Sequence, residues 1–208
     1  MLEVHHLNNS RSQRVLWLLE ELGVDYRIVR YARDTQTMLA PPELKAVHPL
    51  GKSPVVKEGD TVLAESGAIV EHLIERYGQG RFAPSRQSDA YVQYRYWLHY
   101  AEGSLMTQMI ARLYLGRVGD GGKPMIERIE RSIASHLAFV ESQVGDAQFF
   151  LGGSLTGADI QMSFPLEWAK TQGFLGAYPK LTALVDRYHA RPAYRAGVEK
   201  GGPYLFGS

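Results

Sequence analysis

The spacing of apolar residues changes character once along this chain, near Pro84, and that change constrains the fold more than any other feature. Before it, strand-like and helix-like runs alternate. Leu2 to Leu7 and Tyr26 to Tyr31 read as strands, and Val55 to Lys57 with Thr61 to Leu63 reads as a tight pair around Glu58-Gly59-Asp60. Between them, Val15, Leu18, Leu19 and Leu22 share one helical face and stop at Gly23, while Pro41-Pro42 is suited to open a short helix. Ile69, Val70, Leu73, Ile74 and Tyr77 predict a further helix ending at Gly78. Residues 1–80 therefore read βαβαββα, a mixed sheet with helices packed on it.

After Pro84 only the helical period remains. Leu98, Leu105, Met106, Met109, Ile110 and Leu113 predict a long helix ending near Gly116. Ile126, Ile129, Ile133, Leu137, Val140 and Val144 predict another, opened by Pro124. Residues 156–170 and 179–190 add two more; Thr156-x-x-Asp159 is a capping box for the first, and Pro165 is expected to kink it. The expected fold class is α/β plus all-α, with residues 87–208 forming a helical-bundle domain and Gly78 to Pro84 the linker.

Composition narrows the function classes. The chain has 208 residues, 45% hydrophobic and 22% charged, enough to bury a substantial core. A net charge of +1 supplies no field for nucleic acid or an acidic membrane surface. No stretch approaches the roughly 18 apolar residues of a membrane span, and Met1-Leu2-Glu3-Val4 lacks the features of a secretory signal, so a cytoplasmic protein is expected. With no cysteine, disulfides and protein thiol chemistry are excluded; a thiol would have to arrive with the ligand. His5 and His6 are adjacent in a strand, point to opposite faces and cannot share a metal.

Three short segments carry candidate chemistry. In His48-Pro49-Leu50-Gly51-Lys52-Ser53-Pro54, a proline meets the start of an apolar strand. A cis bond there would turn the Ser53 N–H and C=O outward to pair with an extended peptide; the alternative is a trans proline on an edge strand. Glu65-Ser66 precedes a helix whose N-terminus suits a carboxylate; Glu65 can pair with an ammonium, and the alternative is simple capping by Ser66. Asn8-Asn9-Ser10-Arg11-Ser12 opens the first helix. Ser10 can lower a ligand thiol's pKa by donating to the thiolate, or it caps the helix, since Ser10-x-x-Gln13 fits a capping box. Together the three segments outline a pocket for the backbone and charged ends of a small peptide. The aromatic run Tyr91, Tyr94, Tyr96, Trp97 and Tyr100, with Met106, Met109 and Tyr114, reads as helix packing whose free side can line an apolar pocket.

The order and spacing of Ser10-x-x-x-Arg14, His-Pro-Leu-Gly-Lys-Ser-Pro, Glu65-Ser66-x-Ala68-Ile69 and Thr156-x-x-Asp159 resemble the cytosolic glutathione transferases over essentially the whole chain. Ser-Arg-Ser-x-Arg-Val-Leu-Trp-Leu-Leu-Glu and Ala-Pro-Pro-Glu-Leu look most like a fungal and bacterial, serine-type-like branch. The resemblance implies a thioredoxin-like first domain, a homodimer, glutathione as co-substrate without a metal, and attack of its thiolate on an apolar electrophile, with hydroperoxide reduction as a side activity. By position it implies a cis Pro54, Ser53 pairing the cysteinyl part, Glu65 and Ser66 holding the γ-glutamyl end and Lys52 the glycyl carboxylate. Ser10 is the first candidate for the thiolate's donor, with Asn9 and Ser12 as alternatives. Tyr100, Met106 and Tyr114 are the candidates for the electrophile pocket. The rival expectations are an interaction or regulatory protein of the same fold, or a ligandin-like binder with little catalysis.

Overall fold

The computed structural model describes residues 1–207 and divides into two compact units, Met1–Pro84 with the chain from Arg187 onward, and Ser85–Asp186. The first is built on a four-stranded sheet. Its strands are β1 (Leu2–Leu7), β2 (Tyr26–Tyr31), β3 (Val55–Glu58) and β4 (Thr61–Leu63), in the order β2-β1-β3-β4. β1 runs parallel to β2 from Leu2↔Tyr26 to Leu7↔Tyr31 and antiparallel to β3 from Leu2↔Glu58 to His5↔Val55. β1 is an inner strand of the sheet, and side chains on both of its faces are covered: Leu2, Val4, His5, His6 and Leu7 are all buried.

Helix α1 (Ser12–Leu22) is buried nearly all round, through Val15, Leu16, Trp17, Leu18, Leu19 and Leu22. It ends at Gly23, whose φ of 70° places its N–H on the carbonyls of Glu20 and Leu19. After the short α2 (Leu44–Val47) and the hairpin comes α3 (Ser66–Tyr77), which buries Ile69, Val70, Leu73 and Ile74. The strands and these helices stand where the apolar periodicity put them.

The second unit is helical: α4 (Asp89–Tyr100), α5 (Thr107–Leu115), α6 (Lys123–Val144), α7 (Gly157–Thr171) and most of α8 (Pro179–Ala190). The predicted long helix around residues 98–113 is interrupted. It begins at Asp89, and Ala101–Met106 form a π-helical stretch between α4 and α5. In α6 the apolar stripe is buried only from Ile133 onward. The Thr156–Asp159 capping box forms as expected: Asp159 Oδ2 accepts from the Thr156 N–H and hydroxyl, each at 2.9 Å. α7 continues through Pro165.

A ninth helix, α9 (Pro192–Gly201), was not predicted, and it belongs to the first unit although residues 87–208 were expected to form one helical domain. It packs along α1. Gly197 allows the approach: a Cβ there would lie 3.0 Å from the Trp17 nitrogen. Tyr188 and Tyr194 close on the Trp17 ring, and Arg191 donates twice to Glu21, at 2.5 and 2.9 Å. This second wall explains why α1 is apolar on every side rather than along one stripe.

Candidate functional site

The three candidate segments meet at the C-terminal end of β1. The β1–β3 ladder stops at His5↔Val55, so Leu7 stands opposite Ser53 in register but is not paired to its main chain. The Ser53 side chain takes over instead. Its Oγ accepts the Leu7 N–H at 3.2 Å and donates to the His5 carbonyl at 2.8 Å. The same Leu7 N–H is shared with Ser12 Oγ at 3.3 Å. One amide therefore ties the Ser53 loop to the start of α1. The Ser53–Pro54 peptide is cis, and the Ser53 main-chain N–H and C=O, which form no hydrogen bond among the described residues, remain for a ligand.

The Asn9–Ser12 turn is held by an internal network. Ser10 Oγ accepts the Ser12 N–H at 3.2 Å and lies 2.8 Å from Ser12 Oγ, which lies 2.8 Å from His6 Nδ1. Ser10, Ser12 and His6 are all buried. Burial, reinforced by the nearby Arg30 charge, pushes the His6 pKa down to about 4, against a smaller opposing influence of the Gly201 main chain. The Ser10-x-x-Gln13 capping box does not form. Arg11 is the N-cap residue and its side chain makes no capping bond, and both Gln13 amide atoms are buried without a partner. Ser12, the third alternative for the thiolate's donor, is wholly buried with its hydroxyl among Leu7, Ser10 and His6. Asn9 lies at φ 50°, half-buried, and its Oδ1 accepts the Leu205 N–H at 2.9 Å.

Capping is also not what Glu65 and Ser66 do. Glu65 is the N-cap residue of α3, yet its side chain makes no capping bond. Its backbone sits at φ 69°, ψ 111°, a conformation costly for any residue but glycine, and its carboxylate is exposed. Strain of that kind is kept where function asks for it. Ser66 is buried and accepts from Arg14 Nη1 at 3.3 Å, so a buried guanidinium lies beneath the helix N-terminus. The helix dipole, the first-turn N–H groups and that charge all favour an anion there. Lys52 is exposed, and neither Lys52 nor Glu65 has an ion-pair partner among the described residues.

The three electrophile-pocket candidates do not converge on one surface. The Tyr100 hydroxyl lies 2.5 Å from His136 Nδ1, and burial pushes its pKa up to about 12. Met106 is fully buried, whereas Tyr114 is 59% exposed. His5 and His6 face opposite ways as expected, His5 towards the Tyr31 hydroxyl at 2.9 Å. Among the described residues no group of three or more His, Cys, Asp or Glu side chains could hold a metal, and no helix is long and apolar enough to cross a membrane.

Sequence reasoning left three of these features out. Arg14 entered only as a letter of the Ser10-x-x-x-Arg14 pattern, directly before the apolar run Val15 to Leu19, and not as a site residue. His6 had been considered only as a metal ligand. The contact of Leu205 with Asn9 spans 196 positions and has no local signature.

The models of two known domains match this chain: glutathione S-transferase N-terminal domain over residues 3–75 and glutathione S-transferase C-terminal domain over residues 124–187. Glutathione S-transferase 1 of Saccharomyces cerevisiae is 34% identical over 96% of this chain and 95% of its own length. A glutathione S-transferase crystal structure from Actinobacillus pleuropneumoniae superposes with a TM-score of 0.90 at 38% identity, covering 99% of this chain and 94% of that one. A glutathione transferase homologue from Sulfitobacter with bound glutathione gives a TM-score of 0.83 at 25% identity, covering 97% and 98%.

Proposed function

This chain belongs to the glutathione S-transferase family, and from that membership and the geometry above we propose that it binds glutathione at the end of β1 and delivers its thiolate to an apolar electrophile. The observation that carries the reading is the set of groups at Ser53 and on the neighbouring segments that have no partner among the described residues. A main-chain N–H and C=O stand there with an unpaired Lys52 ammonium and an unpaired Glu65 carboxylate on a strained backbone.

Each group has a counterpart in glutathione. The cysteinyl main chain pairs with Ser53 beside Pro54, as an added strand would. The γ-glutamyl ammonium meets Glu65, and its carboxylate meets Ser66 and the α3 N-terminus above Arg14. The glycyl carboxylate meets Lys52. The sulfur then lies at the Asn9–Ser10 turn, where a donor and the start of α1 favour its anion. The thiol proton leaves to solvent. The sulfur forms a bond to the electrophilic carbon as the leaving group departs with its electron pair, so the protein supplies position and electrostatics and the substrate supplies the nucleophile.

Of the three electrophile-pocket candidates Tyr114 alone is exposed, and it is the one we propose to meet an electrophile. We take the enzyme to be a cytoplasmic homodimer; a chain without cysteine is suited to a glutathione-rich, reducing compartment. The test is calorimetric titration with glutathione followed by turnover of an activated aryl halide. Saturable binding with turnover is expected, and Lys52→Ala should weaken binding about tenfold. Binding without turnover would favour a ligandin-like protein, and no binding would favour an interaction protein of the same fold.

A further inference from the structure

The Asn9–Ser12 turn carries two groups whose hydrogens a sulfur anion could use, and the structure treats them differently. For Ser10 the hydrogen is already spent. Ser12 Oγ lies 3.2 Å from the Leu7 carbonyl, which can only accept, and 2.8 Å from His6 Nδ1, so the Ser12 hydroxyl donates on that side. With the Ser12 hydrogen turned to the Leu7 carbonyl and His6, and the Ser12 N–H on Ser10 Oγ, the Ser10 hydroxyl donates inward to Ser12 at 2.8 Å. The hydrogens of this chain all run away from the ligand side.

Asn9 is arranged the other way. An N–H can be received only by the oxygen of an amide, so the bond from Leu205 settles which way the side chain faces. Arg33 holds the Asn9 main-chain carbonyl at 3.3 Å, pinning the turn at φ 50°. The Nδ2 amine has no hydrogen-bond partner among the described residues. We propose that Asn9 Nδ2, rather than the Ser10 hydroxyl, donates to the glutathione thiolate, and that the Leu205 N–H is the positioning group that keeps Asn9 facing that way. The proposal rests on the glutathione reading above and names the donor within it. It also ties the thiolate to the segment that follows α9. Without the Leu205 N–H, the amide is free to turn its oxygen toward the sulfur, which repels an anion.

The experiment is a titration of enzyme-bound glutathione by its ultraviolet thiolate absorbance, on the full chain. Asn9→Ala should raise the bound thiol pKa by about one unit, the scale of one hydrogen bond to a charge, and Asn9→Asp should raise it further. Ser10→Ala should leave it nearly unchanged. Leu205 is exposed beyond the last helix, so Leu205→Pro removes the N–H without touching the core. It should raise the thiol pKa and lower kcat/KM at neutral pH while glutathione binding persists, and Leu205→Ala, which keeps the N–H, should do neither. A rise in Ser10→Ala with none in Asn9→Ala would overturn the donor assignment. Equal behaviour of the two Leu205 variants would overturn the positioning role. If the wild type fails to bind glutathione, the underlying reading falls, and this proposal with it.

Discussion

Replacing Glu65 with glycine should separate stability from function. At φ 69°, ψ 111° the backbone lies outside the helical, extended and left-handed basins, and holding a glutamate there costs about 1–3 kcal/mol. Glycine removes that cost but adds about 1 kcal/mol of unfolded-state entropy. The exposed carboxylate has no ion-pair partner among the described residues, and its loss from the N-terminus of α3 costs at most about 0.3–1 kcal/mol more. Glu65→Gly should therefore leave the free protein within about 1 kcal/mol of the wild type or more stable by up to about 2 kcal/mol. Urea denaturation measures this through the midpoint at constant slope. Glutathione should bind roughly ten- to a hundredfold more weakly, since a hydrogen bond to a charged group contributes about 1.5–3 kcal/mol. Destabilisation beyond about 1 kcal/mol would refute the strain argument, and unchanged affinity would remove Glu65 from the ligand's ammonium.

Two further perturbations test the scaffold beneath the site. His6 is neutral in the fold with a pKa near 4, below the ordinary 6.5, so the unfolded chain binds its proton first as pH falls. Its contribution, about 3 kcal/mol, is present above pH 6.5 and lost between 6.5 and 4; stability against pH should flatten in that window in His6→Asn, and an unaltered slope would refute it. Gly197→Ala gains about 1 kcal/mol of helix propensity but sets a methyl 3.0–3.2 Å from main-chain atoms of Leu16 and Trp17, which cannot yield as a side chain can, so overpacking of about 1–3 kcal/mol should win. A raised melting temperature would show that α9 rests less tightly on α1 than these distances require.

Much of this architecture was legible because it is local. The limits of β2 and β4 follow from alternation and turn residues, and the C-terminal ends of α1 and α3 from stripes closed by Gly23 and Gly78, while both helices begin three residues before their stripes. What was not legible depends on distant partners. α9 carries two glycines where a stripe would place apolar side chains, since it makes contact by close backbone approach. The π-helical stretch after Tyr100 shifts the periodicity without breaking it, so α4 and α5 read as one helix. Ser10-x-x-Gln13 has the letters of a capping box, but His6 and Leu7 draw Ser12 into a different network, and Ser10 follows it. Of the box only the Ser10 half remains, taking the Ser12 N–H, while Gln13 returns nothing.

That competition explains why the site can stay rigid while its ligand-facing groups stay unsatisfied. A loop that satisfied its own main chain would have nothing left for a peptide, and one with no internal bonds would have to be ordered by the ligand at an entropic cost. Here side chains do the internal bonding. Ser53 anchors itself through its hydroxyl to His5 and Leu7, Ser12 anchors the helix start to Leu7 and His6, and Asn9 is held through one end of its amide by Leu205. The Ser53 and Ser12 anchors run to the last residues of β1, where the ladder to β3 has ended and the pairing to β2 continues. The main chain of Ser53 and the Asn9 amine remain to meet the ligand, fixed before it arrives. Glutathione then pays little for ordering the protein, and its binding energy goes to holding the sulfur as an anion.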